Sequence, residues 1–293
     1  MLTLTFSLSW GIPVNLITII LFQIQDLKQQ QHILNEKKIM QNCSSPFIVE
    51  LYQTFHDSKY LYMLMEPCLG GELWTVLRNN KRFNDSTARF YVACVILAFD
   101  YLHEKGVIYR DLKPENLLLD SSGYIKLTDF GFAKQLAVEE KAWTFCGTPE
   151  YVAPEIITNK SHDYRADIWS LGILVFELLT GAPPFTNKAN PAQVYPEILK
   201  GIRGVCFPSC ISASASEIIR QCCRLSPSQR PSLHILKHYI WFAGLDWVRL
   251  ADRSLPPPKV PRISSSVDSS NFDSYKLDLD EPEEDFSEWA ANF

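Results

Sequence analysis

Polar residues between positions 111 and 129 have the types and the spacing that phosphoryl transfer requires. Asp111 and Lys113 lie two residues apart, Asn116 follows them, and Asp129 begins an Asp-Phe-Gly sequence. A carboxylate can accept or orient the proton of an attacking hydroxyl group, and a lysine can neutralise the phosphoryl group in transfer. Carboxylate and amide oxygens are ligands that Mg²⁺ prefers. The spacing therefore predicts catalytic roles for Asp111 and Lys113 and magnesium ligation, together with ATP, for Asn116 and Asp129; loop capping would explain any one of these residues but not the ordered set.

Short apolar segments on either side of these residues are the elements that must position them. Residues 117–119 and 125–127 are candidate strands, which would hold the catalytic loops rigid in a cleft between two lobes. Residues 48–52 and 60–64 read as a hairpin around a turn at 56–59. Periodicity predicts helices over 29–40, 85–104, 163–180, 191–200 and 213–223.

Composition indicates an ordinary globular chain. Its 293 residues, of which 46% are hydrophobic and 21% charged, suffice for a sizeable core. The net charge of -5 offers no basic surface for nucleic acid or for an acidic membrane. The eight cysteines show no paired C-x-x-C spacing, so the sequence predicts neither a zinc site nor a disulfide framework, but reduced thiols and a cytoplasmic location.

Residues 1–25 form an atypical apolar segment without a charged side chain. Membrane insertion is one interpretation, but Gly11 and Pro13 interrupt the apolar run and no basic residue precedes it. A β-rich segment that packs on the protein is the second. The third is translated intron sequence, because a pyrimidine-rich tract encodes Leu, Phe, Ile and Ser.

The last part of the chain has the composition of an extended segment. Three consecutive prolines at 256–258, a serine cluster at 264–266 and an acidic run at 278–285 cannot form a core of their own. The chain nevertheless ends with Phe286, Trp289 and Phe293, which we expect to dock on the rest of the protein.

Three segments together resemble a known family. The sequences Tyr-Arg-Asp-Leu-Lys-Pro-Glu-Asn at 109–116, Thr-Phe-Cys-Gly-Thr-Pro-Glu-Tyr at 144–151 and Asn-Phe-Asp-Ser-Tyr at 271–275 resemble the AGC group of serine/threonine protein kinases. Within that group, residues 60–74 and the closing Trp-x-x-x-Phe at 289–293 are most similar to the catalytic region of cGMP-dependent protein kinase. The resemblance covers residues 26–293.

The resemblance implies an α+β, two-lobe protein kinase fold. It divides the chain into a kinase domain over 26–242, with a truncated β-rich small lobe over 26–66 and a helical large lobe over 67–242, and an AGC-type tail over 243–293. It also implies that ATP and Mg²⁺ are the cofactors and that the substrates are proteins or peptides with basic residues before the target Ser or Thr. Nucleic acid and membranes are not expected partners.

The same resemblance implies roles for further residues. Glu66 and Cys68 would offer backbone groups to adenine, Leu118 would form the floor of that pocket, and Phe272 would form its edge. Thr144 would be a regulatory phosphorylation site that pairs with Arg110, and Cys146 matches an exposed cysteine of the family. The remaining assignments are the substrate-binding acids Glu72, Glu115 and Glu177, the structural pair Glu155 and Arg230, and the structural glutamate Glu36.

The amino-terminal part departs from the family pattern. Glu36 should pair with a strand lysine about nineteen residues earlier, where this chain has Ile17, and no Lys or Arg precedes Lys28. The only glycine before Gly70 is Gly11, so the glycine-rich loop that covers the phosphates is missing. We expect impaired turnover, and a sheet left with an unpaired edge by the missing strands.

Two functions follow from these observations. The first is transfer of the ATP γ-phosphate to Ser or Thr in basic peptides; the second is a catalytically inactive pseudokinase or scaffold. Retention of Asp111, Lys113, Asn116 and Asp129 favours the first, and the missing lysine and glycines favour the second. No stretch is long enough for a cyclic-nucleotide-binding domain, so this chain alone is not expected to bind cGMP.

Overall fold

The structure is a computed structural model that describes residues 3–9, 12–20, 27–137, 139–186, 191–272, 288–290 and 293. Its elements divide into an amino-terminal part dominated by one sheet and a larger helical part. The first part contains β1 (Thr3–Ser9), β2 (Ile12–Ile20), α1 (Leu27–Gln41), β3 (Leu51–His56) and β4 (Tyr60–Met65). The second contains α2 (Leu73–Asn80), α3 (Asp85–Glu104), β5 (Val107–Ile108), β6 (Leu117–Leu119), β7 (Ile125–Leu127), β8 (Lys134–Gln135), α4 (Pro154–Ile157), α5 (Arg165–Thr180), α6 (Tyr195–Lys200), α7 (Ala213–Cys222), α8 (Leu233–Leu236) and α9 (Trp247–Ala251).

The amino-terminal sheet is antiparallel, in the order β1-β2-β4-β3. Strand β2 lies along β4 with Ile17 opposite Met63, so β4 is paired on both sides, and β1 and β3 are the edges of the sheet among the described strands. Within residues 1–25, the described ranges 3–9 and 12–20 have the β structure that the second interpretation predicts, whereas the interpretation as translated intron stays a hypothesis about the gene. Among the described residues, no helix is long and apolar enough to cross a membrane.

The predicted hairpin is present, but its first strand begins later than expected. Ile48 instead forms an isolated parallel bridge with Leu127 of the helical part, in which the Val49 N–H donates to the Leu127 carbonyl oxygen at 3.0 Å and the Leu127 N–H donates to the Phe47 carbonyl oxygen at 2.8 Å. Strand β3 therefore starts at Leu51, where a bulge shifts its register against β4. These bonds join the two parts of the molecule next to β7.

Helix α5 lies at the centre of the helical part and is buried along almost its whole length. It starts at Arg165 rather than at 163, because the Asp163 side chain accepts the Arg165 N–H at 2.9 Å and so acts from outside the helix. It ends at Gly181, whose φ of 87° favours glycine. A Cβ at Gly181 would lie 2.0 Å from the Lys81 carbonyl oxygen, so this close approach also requires glycine.

The other helices follow the predictions with small changes at their ends. Helix α3 has the predicted bounds, and Asn84 caps it by accepting the Thr87 N–H at 2.9 Å. The segment predicted as one helix over 191–200 is a 3₁₀ turn at Pro191–Val194 followed by α6. Two small sheets, β6–β7 and β5–β8, flank the loops that carry the candidate catalytic residues.

The carboxyl-terminal segment runs across the helical part and returns to the amino-terminal part. Arg253 forms an ion pair with Asp120, and the Tyr124 hydroxyl donates to the Leu255 carbonyl oxygen at 2.6 Å. At the end of the chain Trp289 packs on the core and Phe293 is buried, with the Lys37 ammonium 5.0 Å from the centre of its ring. The expected docking of Phe286 and the acidic run at 278–285 lie outside the described residues.

Candidate active site

The predicted catalytic residues meet on the loop between β5 and β6. The Lys113 Nζ donates to Asp111 Oδ2 at 2.7 Å, and the Asn116 Nδ2 donates to the same oxygen at 3.0 Å. The Thr148 hydroxyl donates to Asp111 Oδ1 at 2.8 Å, so both carboxylate oxygens are held. Sequence reasoning gave Thr148 no role, although it lies within the Gly-Thr-Pro-Glu motif.

A buried carboxylate holds the backbone at the start of the loop between β5 and β6 through hydrogen bonds. Asp167 of α5 is fully buried and accepts the N–H groups of Tyr109 and Arg110 at 3.0 and 2.8 Å. The His103 Nε2 lies 2.8 Å from its Oδ2. These bonds hold Arg110 at a φ of 70°, a conformation that a non-glycine residue seldom adopts. Asp167 was missed, and the signal for it was an acidic residue inside an apolar helical segment.

Asp129 lies within electrostatic range of Asp111, and its carboxyl group could bind a cation. Burial, followed by the negative charge of Asp111, raises the pKa of its carboxyl group, while the Gly131 N–H and Lys113 oppose that shift. A cation at Asp129 would offset the repulsion between the two carboxylates. Within the described residues there is no cluster of three His, Cys, Asp or Glu side chains that could hold a metal ion. Mg²⁺ usually takes one or two protein ligands together with phosphate and water oxygens, a set in which Asn116 and Asp129 would be the protein ligands.

Glu36 of α1, in the amino-terminal part, contacts the Asp-Phe-Gly segment at 129–131. Its Oε1 accepts the Phe130 N–H at 3.0 Å, and among the described residues no cation pairs with it. Burial and then the charge of Asp129 raise the pKa of Glu36 to about 7, against the opposing effect of the Phe130 N–H. The structure thus brings Glu36 to the Asp-Phe-Gly segment, but without the basic partner that a strand lysine would provide.

The segment after β4 connects the two parts of the molecule and lies beside β6. Cys68 and Leu118 are buried, and Glu66 forms an ion pair with Lys126 of β7 at 2.7 Å. Within the part of the chain that the structure describes, the Cys68 N–H has no hydrogen-bond acceptor. Lys126 is 5% exposed on its side chain, and its role in holding Glu66 was not anticipated from the sequence.

The carboxyl-terminal segment approaches the same place. The Asn271 Nδ2 donates to the Leu69 carbonyl oxygen at 3.0 Å, and a Cβ at Gly71 would lie 2.4 Å from the Asn271 carbonyl oxygen. Phe272 follows, partly buried against the core. The structure therefore places Phe272 near the Glu66–Cys68 segment.

The predicted acidic residues Glu115 and Glu177 lie close enough that the charge of Glu115 raises the pKa of Glu177. Burial is the largest cause that raises the pKa of Glu177 to about 7; the Tyr151 hydroxyl, which donates to its Oε2 at 2.6 Å, lowers it, and Glu115 raises it. Arg78 acts on both acids in the opposite direction, and its guanidinium lies 5.0 Å from the centre of the Trp74 ring. Glu72 stands at the start of α2, where its backbone bridges to Leu118 of β6. Arg78 is the member of this group that the sequence did not reveal.

The predicted regulatory pair is not in contact. Thr144 is exposed, whereas the Arg110 Nε donates to the Phe132 carbonyl oxygen at 2.7 Å and its Nη1 lies 3.4 Å from His162 Nε2. Cys146, which matches an exposed cysteine of the family although cysteine is more often buried, is 7% exposed, because its segment folds onto the loop that carries Arg110.

Glu155 and Arg230 form a buried bidentate ion pair. The two terminal nitrogens of Arg230 lie 2.6 and 2.7 Å from Glu155 Oε1 and Oε2, and its Nε donates to the Arg224 carbonyl oxygen. This contact joins α4 to the segment after α7. It lies away from Asp111 and serves the framework of the site.

Comparison with known proteins gives a consistent answer. The family model described as "Protein kinase domain" matches residues 18–242. The chain is 54% identical over 277 residues to cGMP-dependent protein kinase, isozyme 2 forms cD5/T2, of Drosophila melanogaster, which is 92% of this chain and 30% of that protein. It is 50% identical over 275 residues to human cGMP-dependent protein kinase 2, covering 92% of this chain and 36% of the relative. It is 50% identical over 276 residues to cGMP-dependent protein kinase egl-4 of Caenorhabditis elegans, again 92% of this chain and 35% of the relative. The chain thus spans about a third of the length of these relatives.

Proposed function

The chain belongs to the protein kinase family, is homologous to cGMP-dependent protein kinases, and from this premise we propose that it transfers the γ-phosphate of ATP to Ser or Thr in basic peptides. The observation that carries the proposal is the arrangement around Asp111, whose two oxygens are held by Lys113, Asn116 and Thr148. A loop cap would not need a lysine and two further donors on one carboxylate. A site for phosphoryl transfer needs an oriented acceptor and a nearby cation.

Asp111 is proposed to accept the proton of the substrate hydroxyl. The hydroxyl oxygen forms a bond to the γ-phosphorus, the bond from that phosphorus to the bridging oxygen breaks, and ADP leaves with the bridging oxygen. Lys113, 2.7 Å from Asp111, is placed to offset the negative charge on the transferred group. Thr148 keeps the carboxylate from rotating out of line with the attacking oxygen.

Asn116 and Asp129 are proposed to hold the magnesium that accompanies ATP. Bound magnesium neutralises phosphate charge. The raised pKa of Asp129 supports this assignment, because a cation beside it would relieve the repulsion from Asp111.

The adenine end of ATP is proposed to lie against the segment after β4. The Cys68 N–H and the Glu66 carbonyl would meet the adenine edge, Leu118 would lie beneath the ring and Phe272 at its side. Lys126 supports Glu66 from β7 through their ion pair. The position of Asn271 on the Leu69 carbonyl supports an AGC-type tail over 243–293 that closes this side of the pocket.

Basic substrates are proposed to bind at Glu72, Glu115 and Glu177. Two of these acids sit within electrostatic range of one cation of the chain itself, Arg78. A substrate arginine would compete with Arg78 for the same carboxylates, with geometry as well as charge selecting arginine. Thr144, exposed on the segment that runs past Arg110, remains the proposed phosphorylation site; its phosphate would need to displace the Arg110 contact with the Phe132 carbonyl.

The second candidate function is a pseudokinase or scaffold, and Glu36 is the observation that favours it. Its carboxyl group accepts a backbone N–H where a lysine pair would be needed to hold ATP phosphates. We therefore propose that turnover by this chain, with its truncated small lobe over 26–66 and large lobe over 67–242, is impaired.

The decisive experiment measures phosphate transfer from radiolabelled ATP to a peptide with arginines before a serine. We expect slow transfer that falls by about 100-fold or more in Asp111→Asn, because the variant keeps the shape of the side chain but removes the proton acceptor. Asp252→Asn, an exposed change of the same kind after α9, is the control and should leave the rate unchanged. Transfer that survives Asp111→Asn would contradict the assignment, whereas wild-type protein without transfer would favour the scaffold.

A further inference from the structure

A cleft remote from the candidate active site concentrates positive charge. It lies between the turn that follows α6 and the carboxyl-terminal end of α7, has a volume of about 350 Å³, and is lined by Arg203, Arg220 and Arg224, which together we call the arginine cleft. Lys200 also lines it, and Glu217 is its single acidic residue. The protein as a whole carries a net charge of -5, so this surface has the opposite sign to the rest of the molecule.

None of the three arginines has a carboxylate partner among the residues that the structure describes. Glu217 Oε1 accepts the Gln221 Nε2 at 2.6 Å, and among the described residues no ion pair involves Arg203, Arg220 or Arg224. Elsewhere in the chain Arg230 and Arg253 each pair with a carboxylate. Basic residues near the end of α7 interact favourably with the helix dipole, but that effect does not account for Arg203, which stands on a separate segment across the cleft.

Two of the arginines are already held in place. The Arg220 guanidinium lies 4.2 Å from the centre of the Phe207 ring, and its Nε donates to the Ser216 hydroxyl at 3.3 Å. The Arg224 Nε donates to Gln221 Oε1 at 3.2 Å. In the part of the chain that is described, the terminal nitrogens of both side chains have no acceptor. These nitrogens form the bidentate face with which arginine binds phosphate.

We propose that the arginine cleft binds a phosphate monoester group. Such a group carries close to two negative charges at neutral pH and accepts hydrogen bonds on three oxygens, which suits arginines that line one cleft from two segments. Leu225, 46% exposed, also lines the cleft and offers apolar contact to whatever flanks the phosphate. Phosphoserine in a peptide and inorganic phosphate share this chemistry and are separated by the test below.

The test uses a fluorescein-labelled peptide whose only charged side chain is one phosphoserine, in anisotropy measurements with the full chain; the unphosphorylated peptide carries the same label and so controls for the charge of the dye. We expect binding that weakens as salt concentration rises, and that falls by about 100-fold in Arg203→Gln/Arg224→Gln, about tenfold for each lost charged hydrogen-bonding group. Arg220 is left in place because it packs on Phe207. Arg262→Gln removes an exposed arginine outside the cleft and should bind as the wild type does.

Inorganic phosphate and the unphosphorylated peptide complete the design. If inorganic phosphate displaces the labelled peptide, and raises the melting temperature of the wild type but not of the double variant, the phosphate group itself is what the cleft recognises. If the peptide binds and inorganic phosphate neither displaces it nor stabilises the protein, the flanking residues contribute, and the source is a phosphorylated segment. Equal binding by wild type and double variant, or equal binding of the unphosphorylated peptide, would overturn the proposal. None of these readouts depends on phosphate transfer.

Discussion

At the residue scale, two carboxyl groups, Glu36 and Glu177, have pKa values raised into the neutral range. Burial is the largest cause for both Glu36 and Glu177, and each has a pKa of about 7. Their partners differ, because Glu36 accepts a backbone N–H while Glu177 accepts the Tyr151 hydroxyl. Neither partner is a cation, which is why hydrogen bonding does not restore an ordinary acidic pKa.

The pKa of Glu36 predicts how stability depends on pH. Its ordinary value of 4.5 rises to about 7 in the folded protein, so its contribution to the free energy of unfolding is complete below about pH 4.5 and is lost as pH rises through about 7. Because solvent screens part of the effect at a partly exposed residue, we expect on the order of 2 kcal/mol. Urea unfolding of the wild type and of Glu36→Gln between about pH 4.5 and 7 measures this contribution, as the difference between their free energies of unfolding at each pH.

Glu104→Gln, an exposed change of the same kind at the end of α3, is the control and should track the wild type at every pH. A difference between wild type and Glu36→Gln that does not vary with pH would contradict the proposed titration.

The pKa of Glu177 predicts how recognition of basic substrates depends on pH. Its ionised form, which attracts arginine, predominates above about pH 7, so the ratio of kcat/KM for a basic peptide to that for a neutral one should rise through that pH. Glu177→Gln should flatten the ratio. Tyr151→Phe, which removes a hydroxyl that lowers this pKa, should move the rise to higher pH. An unchanged profile in both variants would show that Glu177 does not face the substrate.

At the element scale, strand β2 completes the pairing of β4 through its backbone and carries no basic side chain. It extends β4 along its free side, with Ile17 opposite Met63. Backbone pairing needs only N–H and C=O groups, so an apolar sequence can complete the sheet even though it carries no lysine. Strand β2 carries no positive charge. Glu36 of α1 accordingly accepts a backbone N–H and has a raised pKa.

A lysine introduced into this strand tests the proposal that the chain turns over slowly for want of a basic partner for Glu36. Ile17→Lys is expected to raise the rate of phosphate transfer about tenfold or more and to lower the pKa of Glu36, because an ammonium group would pair with that carboxylate. Thr18→Lys is the matched control, since successive residues of a strand point to opposite faces. Transfer rate and the pH dependence of unfolding report the two effects, and equal gains in both variants would show that position 17 is not special.

At the scale of the whole molecule, a few buried polar contacts connect distant segments. Asp167 joins α5 to the catalytic loop, Lys126 joins β7 to Glu66, and Arg230 joins the segment after α7 to Glu155. All lie in low-dielectric surroundings, where an unpaired charge is strongly unfavourable. The position of the candidate site therefore depends on residues far from it in sequence.

Glu155→Gln should lower the free energy of unfolding by about 3 to 5 kcal/mol, because it leaves the Arg230 guanidinium buried without a counter-charge. Chemical denaturation at neutral pH measures the loss. Replacement of both residues, in Glu155→Met/Arg230→Met, should be much less destabilising than the single change, since it leaves no unpaired charge. If the double variant loses nearly as much free energy of unfolding as Glu155→Gln, the loss comes from packing and not from an unpaired charge. Glu197→Gln, at an exposed ion pair with Lys200, should change stability by less than about 1 kcal/mol.

The local signals of the sequence determined most of the large helical part. The bounds of α3, the strands beside the catalytic loop and the identities of Asp111, Lys113, Asn116 and Asp129 followed from periodicity and spacing, since these depend on neighbouring residues. The sequence also shows directly that no Lys or Arg precedes Lys28, so that β2 cannot carry a basic side chain.

Only the tertiary structure decided what those residues touch. Thr148 on Asp111, Lys126 on Glu66, Arg78 beside Glu115 and Asp167 beneath the loop all depend on contacts between segments far apart in the chain. Three further features also depend on such contacts. They are the pairing of β2 with β4, the burial of Cys146, and the cleft that Arg203 lines together with Arg220 and Arg224. Burial and charge at each of these places are properties of the surroundings in space, which the order of residues alone does not specify.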